Sequence, residues 1–293
     1  MKTAAISGQV VSGFRGRLPL PGTKVGALAI YVPLTLAALV MIVPFIWMIS
    51  TSLTTDSYVL NPTPTLIPNP ASIDSYRRLF DLLNIGGMFV NSIFVAVLTT
   101  AGQIVTSSMA AYAFARMAWR GRNAVFVLYL ITLMVPSQVT IVPLFILMRL
   151  LGWVNTYQAL ILPGVFTAFG TFLLRQSFLS LPRELEEAAF LDGASHWTVF
   201  RQVILPLSGP GLATLAVFSF MGSWNAYLWP LFVARQDSIM TLPVGLARLH
   251  GQHLTQWNLV MAGSVISIIP ILIVYLLAQK AFVRGVAFTG IKG

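Results

Sequence analysis

The chain contains no cysteine, which excludes both a disulfide framework and a thiolate metal site. Charge is scarce as well. Only 9% of its 293 residues are Asp, Glu, Lys or Arg, where a soluble domain carries about 25%. So few charges cannot clothe the surface of a water-soluble fold. There is no Gly-Lys dipeptide anywhere in the sequence, so a phosphate-cradling GxxxxGK[ST] loop is absent and this chain cannot itself bind and hydrolyse ATP by that route. No internal repeat and no low-complexity tract stands out.

What fills the chain instead is apolar. Hydrophobic residues make up 57% and mean hydropathy is +0.82. Six runs are long enough for the roughly 20 residues a helix needs to cross hydrocarbon: about 25–50, 88–114, 123–148, 156–178, 205–233 and 259–283. They are continuous rather than alternating, so helices are expected and not the strands of a barrel. The first run is too long for a signal h-region and is not followed by a clear cleavage site. It reads as a retained span. Pro136, Pro143, Pro163, Pro230 and Pro270 fall within these runs and read as kinks, tolerated in a membrane where neighbours satisfy the freed backbone groups.

The net charge of +10 could suggest nucleic acid, but the basic residues come in twos and threes between apolar runs, a topology pattern rather than a binding face. No nucleic-acid partner is expected; membrane lipid is. If the N-terminus is cytoplasmic, thirteen of the eighteen Lys and Arg residues fall inside. These include Lys2, Arg15, Arg17, Lys24, Arg116, Arg120, Arg122, Arg183 and Arg201. Arg77, Arg78, Arg149, Arg235 and Arg248 fall outside. The positive-inside rule therefore predicts both termini in the cytoplasm. In outline, residues 1–24 form a cytoplasmic segment and 25–293 a single transmembrane domain. His250 and His253, three apart in an outer loop, lack a third ligand and read as solvated loop residues rather than a metal site.

Half of the eight acids sit in one run, ELEEAAFLDGASHWTVFRQVILP (184–206), between spans four and five: Glu184, Glu186, Glu187 and Asp192. Pro182 suits the start of a helix, and the glutamates lie at the positive end of its dipole. Gly193 can take the left-handed conformation that ends it. Ser195 can cap a second helix along which Trp197, Phe200 and Ile204 align, and Leu205-Pro206 then opens span five. Arg183 and Glu187 are spaced i,i+4, and Leu185, Ala188 and Ala189 share the opposite stripe. The expectation is a cytoplasmic helix–turn–helix whose charged, shallow knob inserts into a groove on another protein. An amphipathic linker lying on the bilayer is the other reading, which the acids disfavour.

The spacing Glu187-Ala188-Ala189, three residues, Gly193, nine residues, Val203-Ile204-Leu205-Pro206 resembles the EAA loop of ABC-importer permeases, with Val203 where the pattern has Ile. NSIFVAVLTT, SSMAAYAFARM, MVPSQVTIVPLF, NTYQALILP, FLLRQSFLSLPRELEEAAFLDGAS, WNAYLWPL, TLPVGL and the closing IKG resemble the carbohydrate-uptake branch, of maltose, multiple-sugar and glycerol-phosphate type. The likeness spans roughly residues 27–293. It implies a type I ABC importer permease fold, all-α with six transmembrane helices, in a bacterial cytoplasmic membrane. It further implies a second homologous permease, two ABC ATPase subunits that carry the ATP and Mg, and an extracytoplasmic substrate-binding protein. No cofactor belongs to this chain. By residue matching, Glu187, Ala188, Ala189, Asp192 and Gly193 form the ATPase-coupling element.

Amides, hydroxyls and aromatic faces within the spans suit a neutral, hydroxyl-rich solute. Asn91, Gln138, Ser223, Trp224, Asn225 and Tyr227 are the candidate pathway residues, with Gln103 and Thr140 beside them. Polar groups that join helix to helix and an interfacial aromatic belt are the competing explanations. Along a continuous helix Trp224 would lie about 28 Å from Leu205, toward the outer side. A secondary transporter usually needs intramembrane Asp, Glu or His, and the six runs hold none. A structural scaffold would not explain the spaced motif. Within the importer class, glycerol phosphate, a polyamine or an amino acid remain alternative cargoes.

Overall fold

A computed structural model describes residues 24–55, 67–68, 70–249 and 256–289. The basic N-terminal segment, most of the Pro/Asn-rich stretch after the first span, His250, His253 and the terminal IKG lie outside the described residues. Those that are described form helices and turns, with no strand among them.

Three helices are long and apolar enough to cross a membrane singly. They are α1 (Lys24–Ser52), α3 (Ile85–Ala115) and α14 (Trp257–Thr289). Between α1 and α3 lies the short amphipathic α2 (Asp74–Leu82), and α1 packs against α14. Large side chains along α1 from Leu28 to Ile49 are exposed, an apolar face of a size that soluble monomers do not show.

The remaining apolar runs are not the continuous helices their composition suggested. The third divides into α4 (Arg122–Ile131), a 3-10 turn (Thr132–Met134) and α5 (Ser137–Leu150), bent by 96°. Pro136 is the cause: it has no N–H to donate and forces the residue before it toward extended backbone. Val135 accordingly has ψ 115°. The fourth divides into α6 (Tyr157–Ile161), a 3-10 turn (Leu162–Gly164) and α7 (Ala168–Leu179), bent by 43°. Pro163 sits in that turn. Pro136 and Pro163 therefore mark breaks, whereas Pro143 and Pro270 lie inside helices. Carbonyls freed at the second break find partners on α3. Gln103 Nε2 donates to Gly164 O across 2.6 Å, and Thr106 Oγ1 donates to Val165 O across 2.5 Å. Broken backbone at membrane depth is stable only where it is satisfied in this way.

The fifth run departs most from expectation. After α8 (Glu184–Leu191) and α9 (His196–Val199), the chain passes through a π turn (Phe200–Ile204) into α10 (Leu205–Leu207). It then bends by 78° into α11 (Gly209–Trp224). Leu205-Pro206 thus closes the loop helix rather than opening the span. The span restarts at Gly209-Pro210, where proline fits the first turn. It ends at Trp224, and α12 (Leu228–Val233) follows a non-helical step at Asn225 to Tyr227. The loop beyond it carries α13 (Leu242–Ala247).

Three buried clusters hold these elements. One joins α2, α3, α11, α13 and α14 through Leu79, Met88, Trp224, Leu242 and Leu259. A second joins α3, α7, the π turn and α11 through Tyr112, Leu174, Phe178, Phe200, Ile204 and Leu215. The third joins α3, α5, α6 and α12 through Val95, Met148, Leu160 and Val233. Helix α3 contributes to all three and is the spine of the fold. Small residues let the helices approach closely: a Cβ added at Gly170 of α7 would meet Ser107 Oγ of α3 at 2.6 Å, and one at Gly211 of α11 would meet Ser177 Oγ of α7 at 2.5 Å.

Candidate functional site

The acidic run folds as a helix, a tight turn and a second helix. α8 ends in a two-bond Schellman arrangement, with Gly193 N donating to Phe190 O and Ala194 N donating to Ala189 O, each across 3.0 Å. Gly193 has φ +82°, the left-handed value such a termination requires. Ser195 then caps α9, its Oγ accepting from Thr198 N across 3.2 Å. The turn is set by local chemistry that the sequence carries openly.

Orientation of the individual side chains follows the packing. Glu187, Ala188, Asp192 and Gly193 are exposed, as are Leu185, Leu191 and Trp197. Ala189 is half-buried against the second cluster. Nothing lies within 4 Å of a Cβ placed on Gly193, so the surface around the turn is open. Trp197 does not share a buried stripe with Phe200 and Ile204: it is exposed, while they are 5% and 1% accessible. The Trp197 ring nonetheless meets Phe200, with centroids 5.4 Å apart.

Glu186 was grouped by sequence with the other acids as surface charge, and this is corrected. It is buried, and its Oε1 stands 2.8 Å from Arg116 Nη1 at the end of α3, with the two side chains 8% and 3% exposed. Arg116 Nη2 also donates to Phe178 O and, across 2.8 Å, to Leu181 O. Its Nε has no hydrogen-bond partner, and the closest carboxylate oxygen is held by charge rather than by an aligned hydrogen bond. Burial pushes the Glu186 carboxyl above the usual carboxylate range, an effect that Arg116, Arg183 and His196 offset in part. Helical geometry held the missing signal. Glu186 and Ala189 are three apart and so share a face, while Glu187, one residue on, points elsewhere.

The pathway candidates separate into two groups. Asn91 is buried and its polar atoms are engaged: Nδ2 donates to Ser238 O and Met240 O, each across 3.0 Å, and Oδ1 accepts from Tyr157 Oη across 2.7 Å. Trp224 is 1% exposed, with Nε1 donating to Ser267 O across 3.0 Å. It lies in the packed interior and not in an exposed aromatic belt. Gln103 is occupied by the α6–α7 break, as described. Gln138, Thr140, Asn225 and Tyr227 are exposed and Ser223 is half-buried. Gln138 and Thr140 adjoin the α4–α5 break, whereas Asn225 and Tyr227 occupy the step between α11 and α12. A cavity of about 280 Å³ lies beside Tyr227, lined also by Leu231, Arg235, Val244 and Arg248. Among the described residues, no three His, Asp or Glu side chains gather as a metal site would require.

Spans broken at Pro136, Pro163 and Ser208, arranged around a central α3 and carrying an exposed helical loop, define a membrane-transport subunit rather than a soluble catalyst. The chain belongs to the family described as "Binding-protein-dependent transport system inner membrane component", which matches residues 103–288. It is 36% identical over 259 residues to the arabinooligosaccharides transport system permease protein AraQ of Halalkalibacterium halodurans, covering 87% of this chain and 93% of that protein. Over 263 residues it is 36% identical to the trehalose/maltose transport system permease protein MalG of Thermococcus litoralis, covering 88% and 94%. It is also 41% identical over 200 residues to the sn-glycerol-3-phosphate transport system permease protein UgpE of Salmonella typhi, covering 68% and 71%. Among solved structures, it superposes with a TM-score of 0.77 and 27% identity on a chain of a bacterial ABC transporter involved in import of the acidic polysaccharide alginate, covering 88% of this chain and 97% of that one.

Proposed function

We propose that this chain forms half of the membrane pathway of an ATP-driven importer for a sugar or related carbohydrate. The observation that carries the reading is the α8 loop. An exposed face of Glu187, Ala188, Asp192 and Gly193 is presented on a helix that is capped, turned and anchored rather than loose. A rigid, shallow, acidic knob suits docking into a groove of a partner ATPase, and the chain has no phosphate loop of its own. ATP and Mg would be held by two such partner subunits. A second permease completes the pathway, and an extracytoplasmic binding protein delivers the cargo. Both termini and the α8 loop are read as cytoplasmic, a reading supported by the charge bias of the loops.

In this reading, closure of the ATPases carries α8 with it. The packed cluster around Phe178, Phe200 and Leu215 passes the displacement to α3, α7 and α11, and the spans exchange inward and outward openings. Carbohydrate cargo follows from the relatives, whose names specify arabinooligosaccharides and trehalose/maltose. Exposed Gln138, Asn225 and Tyr227, with half-buried Ser223, supply the amides, hydroxyls and ring face such a solute would meet. Glycerol phosphate is the second reading, favoured by the similarity to UgpE and by Arg235 and Arg248 beside Tyr227.

The test is uptake by vesicles holding the complete transporter. Gly193→Trp, placed in open space on the docking face, is expected to leave the protein inserted and abolish ATP-driven uptake. Uptake at the native rate with normal ATPase docking would overturn the assignment. Purified chain free of other subunits is expected to show no ATP turnover.

A further inference from the structure

Glu186, the one buried charged residue among the described residues, and its partner Arg116 are used by nothing in the scheme above. Arg116 and Glu186 are 3% and 8% exposed, with Nη1 and Oε1 2.8 Å apart. The pair joins three elements: α3, which ends at Ala115; α8, which carries Glu186; and the α7 exit, whose Phe178 and Leu181 carbonyls accept from the same guanidinium. Replacing a buried ion pair with apolar residues is often neutral or stabilising, so stability alone does not account for one here. Its particular property is direction. Directed bonds from Nη2 to the Phe178 and Leu181 carbonyls fix the guanidinium on the α7 exit, and its charge holds the Glu186 carboxylate of α8 2.8 Å from Nη1, a placement that greasy contacts would allow to slide.

We propose that Arg116 is a positioning residue for transport. Its link to Glu186 makes the α8 loop, the end of α3 and the α7 exit move as one body, so that displacement of the loop becomes displacement of the spans. This rests on the importer reading. The cluster shared by Ala111, Ala115, Phe178, Val199 and Ile204 supplies the packing, and the ion pair supplies the register. Loss of the pair separates ATP hydrolysis from movement without removing the docking face, because Glu187, Ala188 and Asp192 face outward.

Two measurements decide it. The first is solute moved per ATP hydrolysed in vesicles holding the whole transporter. Glu186→Gln and Arg116→Gln are expected to keep ATP turnover while the ratio falls about tenfold, within the usual range of coupling between sites. Arg116→Lys, which keeps the charge but not the fork, is expected to recover part of it. A pair that only holds the fold would lower the amount of assembled transporter and leave the ratio unchanged, and that result would overturn the proposal. The second measurement does not depend on those variants folding. The native chain has no cysteine, so spin labels at Glu184→Cys on α8 and Met109→Cys, an exposed position on α3, report one distance. With the pair intact, that distance is expected to stay the same with and without ATP. A shift beyond the width of its native distribution overturns the linkage even where variants fail to assemble. Native uptake tests the importer reading itself, so the two ideas fail separately.

Discussion

Trp224 Nε1 donates to the Ser267 carbonyl across 3.0 Å, tying the end of α11 to α14. Phe89 meets the indole edge-on at 5.5 Å between ring centroids, and Phe220 stacks beside it at 6.1 Å. The residue is thus a strut as well as a member of a conspicuous aromatic motif. Trp224→Ala is expected to cost about 3–5 kcal/mol of stability, as large core truncations do. Trp224→Phe keeps most of the packing and loses one hydrogen bond, roughly 1 kcal/mol. Thermal unfolding in detergent measures both. Uptake by Trp224→Phe should keep its native KM, whereas a raised KM at unchanged stability would return the indole to the pathway.

Asn91 makes a comparable prediction by a different mechanism. Its amide serves Ser238 O, Met240 O and the Tyr157 hydroxyl at once. Asn91→Leu has similar bulk but strands those partners, and each buried polar group left unpaired costs about 1–3 kcal/mol. Tyr157→Phe removes a single bond and is expected to cost about 0.5–1.5 kcal/mol. Chemical denaturation should rank native above Tyr157→Phe above Asn91→Leu; equal stability of the latter two would contradict the network.

Gly193 distinguishes backbone strain from surface chemistry. Its φ of +82° disfavours any side chain, although open space surrounds it. Gly193→Asn is tolerated best, because asparagine visits the left-handed region most readily. Gly193→Ala is expected to cost about 1 kcal/mol, and Gly193→Val more, since a branched Cβ crowds that backbone. Hydrogen exchange of the Gly193 and Ala194 amides, which close the turn, should report the same order.

Glu186 brings a pH dependence whose sign is set by burial. Its folded carboxyl lies above the usual range, so the folded protein binds the proton more tightly than the unfolded chain. The associated stability is fully present below the unfolded value, about 4.3, and is lost as pH rises through the raised folded value. Glu186→Gln does not titrate. The native chain should therefore lose melting temperature relative to Glu186→Gln over that acid-side window as pH rises. A difference between the two that is flat with pH, or that grows in favour of the native chain, would refute it.

Local chemistry was legible in advance wherever it depends on near neighbours. Gly193 as a helix terminator, Ser195 as a cap and three of the apolar runs as single long helices follow from spacing and composition, which act within a few residues. Breaks at Pro136 and Pro163 were half legible. Both prolines stand within the apolar runs, but whether such a residue kinks a helix or divides it depends on whether neighbours can satisfy the carbonyls it frees. Gln103 and Thr106 do so for the α6–α7 break, from a helix far away in sequence. The π turn at Phe200 had no composition signal at all.

The amino-acid order decided that this chain lives in a membrane, that half of its acids gather on one capped loop, and that it carries no phosphate-binding loop, because transfer free energy and helix capping are properties of short segments. Folding in three dimensions decided which polar residues are spent on holding the protein together. Asn91 was taken inside by a carbonyl of the α12–α13 loop and Trp224 by one on α14. Adjacent glutamates were sent to opposite environments, Glu186 to Arg116 and Glu187 to the surface. A side chain's partner across helices depends on the approach of whole elements, which is fixed only once the apolar clusters have packed.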